Sequence, residues 1–129
     1  MIIPKYIMKR LFPDDCTKAV EGGVELTLVN VLSAISISSM PDDLQNYVEA
    51  SIDGDPVSSD VMAQCSLTIE GGKTYTFDNA KEFENDTIPM GAKITIFAPI
   101  PLNQGVEHEL HIVIKIDDPI DITIKRIVQ

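Results

Sequence analysis

The chain has 129 residues, the size of one ordinary domain, and carries 20 acidic against 10 basic side chains. A formal charge of −10, with the basic residues scattered and Lys125-Arg126 their densest group, opposes nucleic-acid phosphates and anionic membrane surfaces. Hydrophobic residues make up 44 %, which separates the chain from disordered acidic tails and leaves enough material for a packed core.

In chain order, Met1-Ile2-Ile3-Pro4-Lys5-Tyr6 lacks the basic stretch and unbroken apolar run of a secretory signal. Lys5–Arg10 reads as an N-terminal strand. Glu25–Val31 sets Leu26 and Leu28 against Glu25 and Thr27, and Ala34–Ile37 continues after a break at Ser33. Tyr47–Ile52 is a strand ended by the turn dipeptide Asp53-Gly54. Val57–Cys65 has room for a helical turn or two, with Ser58 or Ser59 as cap. Leu67–Glu70 and Lys73–Phe77 flank Gly71-Gly72, a two-residue hairpin signal. Asn79–Glu84 offers another helical turn, capped by Asp78.

The strongest pattern lies near the C-terminus. Lys93–Ala98 is a strand. Along Glu107–Ile116, His108, Leu110, Ile112, Ile114 and Ile116 fall on one face and Glu107, Glu109, His111, Val113 and Lys115 on the other. Asp117-Asp118-Pro119 breaks this run, and Ile120, Ile122 and Ile124 resume the apolar face with Asp121, Thr123 and Lys125 outward. The two segments form an antiparallel hairpin. With 18 isoleucines and 10 valines, whose branched side chains favour the pleated sheet, the pattern predicts an all-β chain. The expected fold is one antiparallel β-sandwich over residues 1–129, immunoglobulin-like or jelly-roll-like, of seven to nine strands and at most one or two short helical turns.

No constellation points to catalysis or to a metal in this chain. Cys16 and Cys65 are too far apart for a metal knuckle, have no histidine or lysine beside them in sequence, and read as buried thiols in a reducing cytosol. His108 and His111 sit three apart on a strand and face opposite ways, His108 at an edge or core margin and His111 in solvent. Asp53, Asp55 and Asp60 fail the calcium-loop pattern, since Val57 and Ser58 stand where a ligand and a glycine belong. They read as a solvated turn. Asp117, Asp118 and Asp121 flank a hairpin, where no deep cleft for paired carboxylates is expected. The nine residues Ile94–Leu102 are far short of the roughly 20 that cross a bilayer, so a soluble, cytoplasmic protein is expected.

One segment departs from ordinary loop chemistry. Phe97-Ala98-Pro99-Ile100-Pro101-Leu102 leaves a strand and stays apolar where proline stops the ladder. It either packs back over the open end of the sandwich or meets another chain. Phe97, Pro99, Ile100, Pro101 and Leu102 are therefore the candidate partner interface, with Met40 and Tyr47 as a second, smaller candidate.

The chain resembles the β subunits of bacterial C-glycoside deglycosidases. The resemblance covers most of the chain through dispersed features: Gly22-Gly23 before a long strand, Val48–Val57 with its Asp53-Gly54 turn, the hairpin Gly72-Lys73-Thr74-Tyr75-Thr76, Pro89-Met90-Gly91-Ala92-Lys93, and Gly105–His108. Val31–Ile37 lacks the arginine and aromatic residue carried there by many relatives. The resemblance implies a non-catalytic small subunit with no cofactor of its own. Its partner would be a larger TIM-barrel subunit that holds a divalent metal, manganese, and cleaves the sugar–aglycone C–C bond of 3-oxo-C-glycosides by β-elimination. The alternative expectation is a stand-alone sandwich that binds a ligand or a protein.

Overall fold

A computed structural model of the protein describes residues 3–31, 34–36, 44–77, 79, 82, 86–115 and 119–129. Their architecture is an all-β sandwich. One sheet has five strands in the order β1 (Thr17–Val20), β2 (Gly23–Val29), β9 (Lys93–Ala98), β6 (Ser66–Ile69), β7 (Thr74–Thr76). The facing sheet has four, in the order β11 (Ile120–Ile127), β10 (Glu107–Ile114), β4 (Val48–Ile52), β5 (Asp55–Pro56). A ribbon pairs β3 (Ile35–Ser36) with β8 (Thr87–Ile88). Every one of these strand ladders is antiparallel, whereas Gln129 bonds to Thr17 and Ala19 of β1 in the parallel pattern.

The C-terminal hairpin follows its sequence pattern residue by residue. Glu107 pairs with Ile127 and Ile114 with Ile120 without a slip, and Ile122 and Ile124 are 6 % and 4 % exposed while Asp121, Thr123 and Lys125 stay in solvent. Burying an isoleucine contributes about 1.5–3 kcal/mol, so a one-residue slip, which would turn both outward, is strongly disfavoured.

Lys5–Arg10 corrects the sequence reading: Lys5–Leu11 is a helix, α1, not a strand. Within so few residues an alternating pattern and a helical one look alike. The burial is helical, with Ile7, Met8 and Leu11 facing inward and Lys5, Tyr6, Lys9 and Arg10 outward. Lys9 and Arg10 in the last turn suit the negative end of the helix dipole. α1 closes one side of the sandwich. Leu11 and Phe12 join Cys16, Leu26, Ile122 and Ile124 in the principal core, which Leu110, Ile112 and Ile96 extend across both sheets. Arg126 ties this corner shut, donating from Nη2 to the Phe12 carbonyl (2.7 Å) and from Nε to that of Pro13 (3.2 Å).

A smaller core of Ile88 and Ile94, with Leu28, Leu67, Ile69 and Tyr75 around it, sits under the ribbon. Buried Asn30 anchors it by donating from Nδ2 to the carbonyls of Pro89 (3.2 Å) and Ile88 (3.5 Å). The β6–β7 connection is longer than Gly71-Gly72 alone predicts. The Glu70 amide is taken by the Lys93 carbonyl (3.0 Å), so the hairpin closes from Ile69 to Lys73 around Gly71 at φ +72°. Gly23 is required by close approach: a Cβ there would collide with the Ala98 carbonyl on β9. The expected turn at 79–84, the Met40 segment and the Asp117-Asp118 cluster lie wholly or mostly outside the described residues.

Candidate partner interface

β9 delivers the apolar loop to one end of the sandwich. Its last rung pairs Ala98 with Val24; Pro99 has no N–H to continue the ladder, and the Ile100 amide turns back to the Ala98 carbonyl (2.8 Å). Phe97, Pro99, Ile100 and Leu102 are half-buried and Pro101 is exposed. Ile100 and Leu102 border a hollow of about 410 Å³ whose other walls include Ile52, Val57, Val61 and Asp53.

The opposite wall is set by two local devices. Asp53 and Gly54 both have positive φ (53° and 85°), the requirement of the tight hairpin turn that sends β4 back as β5. Ser58 then caps the short helix α2 (Ser59–Ala63), its Oγ accepting from the Val61 amide at 3.2 Å. The apolar hollow is thus bounded by a turn, a capped helix and the proline loop.

Asp53 also holds the corner together across 55 residues of sequence. Its amide donates to the Glu109 carbonyl, its Oδ1 accepts from the Glu109 amide, both at 2.9 Å, and its Oδ2 accepts from His108 Nδ1 at 2.6 Å. The Glu109 amide, and secondarily His108, hold the Asp53 carboxyl below the usual carboxylate range. This histidine–carboxylate pair resembles half of a catalytic triad in outline only. His108 Nε2 is buried and makes no hydrogen bond. Among the described residues no hydroxyl or thiol is hydrogen-bonded to it as a nucleophile would need to be. The pair's effect is to brace the β4–β10 corner, a contact that periodicity along a single strand does not reveal.

His111 takes the opposite, outer face, as its position three residues on requires, and its Nε2 lies 2.8 Å from Asp121 Oδ1. Lys115 reaches Glu49 (2.7 Å) and Lys125 approaches Glu109 (3.9 Å) on the same face. Such exposed pairs contribute about 0–1 kcal/mol each. Both cysteines are free, and burial raises each thiol above its ordinary value, for Cys16 despite the neighbouring Arg126 guanidinium. Neither is activated as a nucleophile. The Lys73-Thr74-Tyr75 hairpin grips Asp86, whose Oδ2 accepts from Lys73 Nζ and Tyr75 Oη, both at 2.9 Å. Lys73, then Tyr75, lower the Asp86 carboxyl; burial and then Asp86 raise the Tyr75 hydroxyl.

Of the second candidate patch only Tyr47 lies among the described residues. Tyr47 stands at the far end of β4 from Ile52, about 16 Å along the strand from the hollow. Among the described residues no group of three or more histidine, cysteine or carboxylate side chains is arranged to hold a metal ion, and no helix is long and apolar enough to cross a membrane. No protein-family model matches the chain, and no curated protein matches it.

Proposed function

We propose that this chain is the non-catalytic small subunit of a cytoplasmic C-glycoside deglycosidase. In this reading it supports a TIM-barrel subunit, which carries the divalent metal and cleaves the C–C bond of 3-oxo-C-glycosides by β-elimination. The observation that supports a docking role is the Pro99–Leu102 loop. It presents exposed Pro101 between half-buried Ile100 and Leu102, beside an apolar hollow at the end of the sandwich. The resemblance described above supplies the kind of partner. An obligate contact of this sort buries upwards of ~2,000 Å² in total, with an apolar centre.

Co-expression with the products of neighbouring genes, followed by light scattering on a sizing column, tests the reading. The expected result is a heteromer with a chain of ~250 residues or more. Ile100→Asp and Leu102→Asp are expected to abolish it while the free chain stays folded. Unchanged assembly would refute the choice of loop, and failure to bind any neighbouring product would refute the subunit reading, whatever the chain does with copies of itself.

One observation favours the second reading, a stand-alone module. Ile100 and Leu102 are already half-buried, and they line the hollow together with the chain's own Val57 and Val61. A small apolar ligand filling that hollow, detected as a rise in melting temperature of the isolated chain, would support it over the first.

A further inference from the structure

Among the described residues the two sheets have four edges, and three of them are blunted. β5 is two residues long and ends in Pro56, and β7 is three residues long. β1 is covered by the C-terminus: the Ala19 amide donates to the Gln129 carbonyl (3.0 Å) and the Gln129 amide to that of Thr17 (2.9 Å). The fourth edge, β11, is eight residues long, runs in unbroken register with β10 and contains no proline or glycine; β1 closes only its C-terminal end, where Thr17 Oγ1 donates to the Ile127 carbonyl (3.2 Å), and the stretch from Asp121 to Lys125 is left open. A long regular edge is what most sandwiches avoid, because it is a template for another strand.

The hydrogen-bond phase shows which groups that edge offers. Asp53 donates to Glu109 and Lys115 donates to Tyr47, so odd-numbered residues of β10 bond towards β4. In an antiparallel sheet the even-numbered ones then bond towards β11, pairing Leu110 with Ile124, Ile112 with Ile122 and Ile114 with Ile120. Asp121, Thr123 and Lys125 therefore turn their N–H and C=O groups away from β10. Among the described residues these groups find no backbone partner; the Lys125 carbonyl alone accepts, from Arg126 Nη1 at 2.7 Å.

We infer that β11 pairs antiparallel with β11 of a second copy about a two-fold axis at Thr123, joining two four-stranded sheets into one. The sequence is self-complementary in that register. Thr123 meets its own counterpart as a hydrogen-bonded pair, and Asp121 meets the second copy's Lys125 on both sides of the axis. On the inner face Ile122 meets Ile124. Across the outer face the charges then alternate: Glu109, Lys125, then Asp121 of the second copy. Two-fold pairing uses one patch twice, so each favourable contact occurs twice.

The test is sedimentation velocity of the full chain over a wide concentration range, with amide hydrogen exchange at Asp121, Thr123 and Lys125. A species of twice the 14.2 kDa chain mass is expected, with these amides protected as concentration rises. Asp121→Lys and Lys125→Asp each set like charges opposite one another twice and are expected to weaken the dimer about tenfold. The double exchange, D121K with K125D, restores opposite charges and is expected to restore the dimer. Thr123→Pro, which removes an N–H that β10 does not use, is expected to abolish the dimer and leave the monomer folded. The inference is overturned by a monomer at every concentration, by a dimer indifferent to these changes, or by a double exchange no better than the singles. Protection of the three amides only when a larger subunit is added would also overturn it and assign the edge to that partner.

Discussion

The two cores of this sandwich are built from the same residue types and differ in what they join. Leu11, Phe12, Cys16, Leu26, Ile122 and Ile124 come from a helix, a loop and both sheets. Ile88 and Ile94 are surrounded mainly by side chains of the five-stranded sheet and its ribbon. Loss of packing in the first core separates the two layers; loss in the second loosens a ribbon on one of them. Burial alone does not distinguish them, since Ile124 and Ile94 are each 4 % exposed. The number of independent elements meeting at a side chain does.

That contrast can be broken by one pair of variants. Ile124→Ala is expected to cost about 4–5 kcal/mol and Ile94→Ala about 2–3 kcal/mol, the two ends of the range for such truncations, in urea unfolding of the isolated chain. Equal costs would show that the cores are energetically equivalent. A smaller effect sharpens the boundary of the first region. Ser58→Ala removes the cap of α2, outside both cores, and is expected to cost about 1 kcal/mol and to expose the Val61 amide to exchange.

The smallest expected effect depends on pH. Folding lowers the Asp53 carboxyl, so the folded state binds fewer protons there than the unfolded chain. The contribution of Asp53 is complete above the unfolded value, about pH 4, and is lost as pH falls through the lowered folded value. The melting-temperature gap between the parent chain and Asp53→Asn is therefore expected to hold steady from neutral pH to about pH 5 and to close in stronger acid. A gap that persists unchanged in strong acid would show that the side chain braces the corner by shape rather than by charge.

What could be read in advance follows from the range of each interaction. β9 and the β10–β11 hairpin were legible because a period of two repeats long enough to be unmistakable. α1 was not, because Ile7, Met8 and Leu11 are too few within one short segment to separate two periods. β5 and β8, at two residues each, leave no periodic trace at all. The turn at Asp53-Gly54 was legible as local backbone chemistry, and the cap of α2 was narrowed to Ser58 or Ser59, of which the structure uses Ser58. The bond from Asp53 to His108 was not, because nothing local specifies a partner 55 residues away. The apolar loop announced itself by composition, whereas the hollow beside it arises only when α2 and the β4–β5 turn are folded opposite.

Arg126 on Phe12 and Pro13 has a consequence for the order of synthesis. The C-terminal end of α1 is fastened at Phe12 by a residue 114 positions later. At ~5–20 residues per second, a ribosome needs on the order of 10 s to deliver that residue after Phe12 has been made. For that interval Met8 and Leu11 lack part of their final site, since Ile122 and Ile124 do not yet exist to receive them. The helix therefore waits with its apolar face incompletely covered until β11 has been made and can close over it.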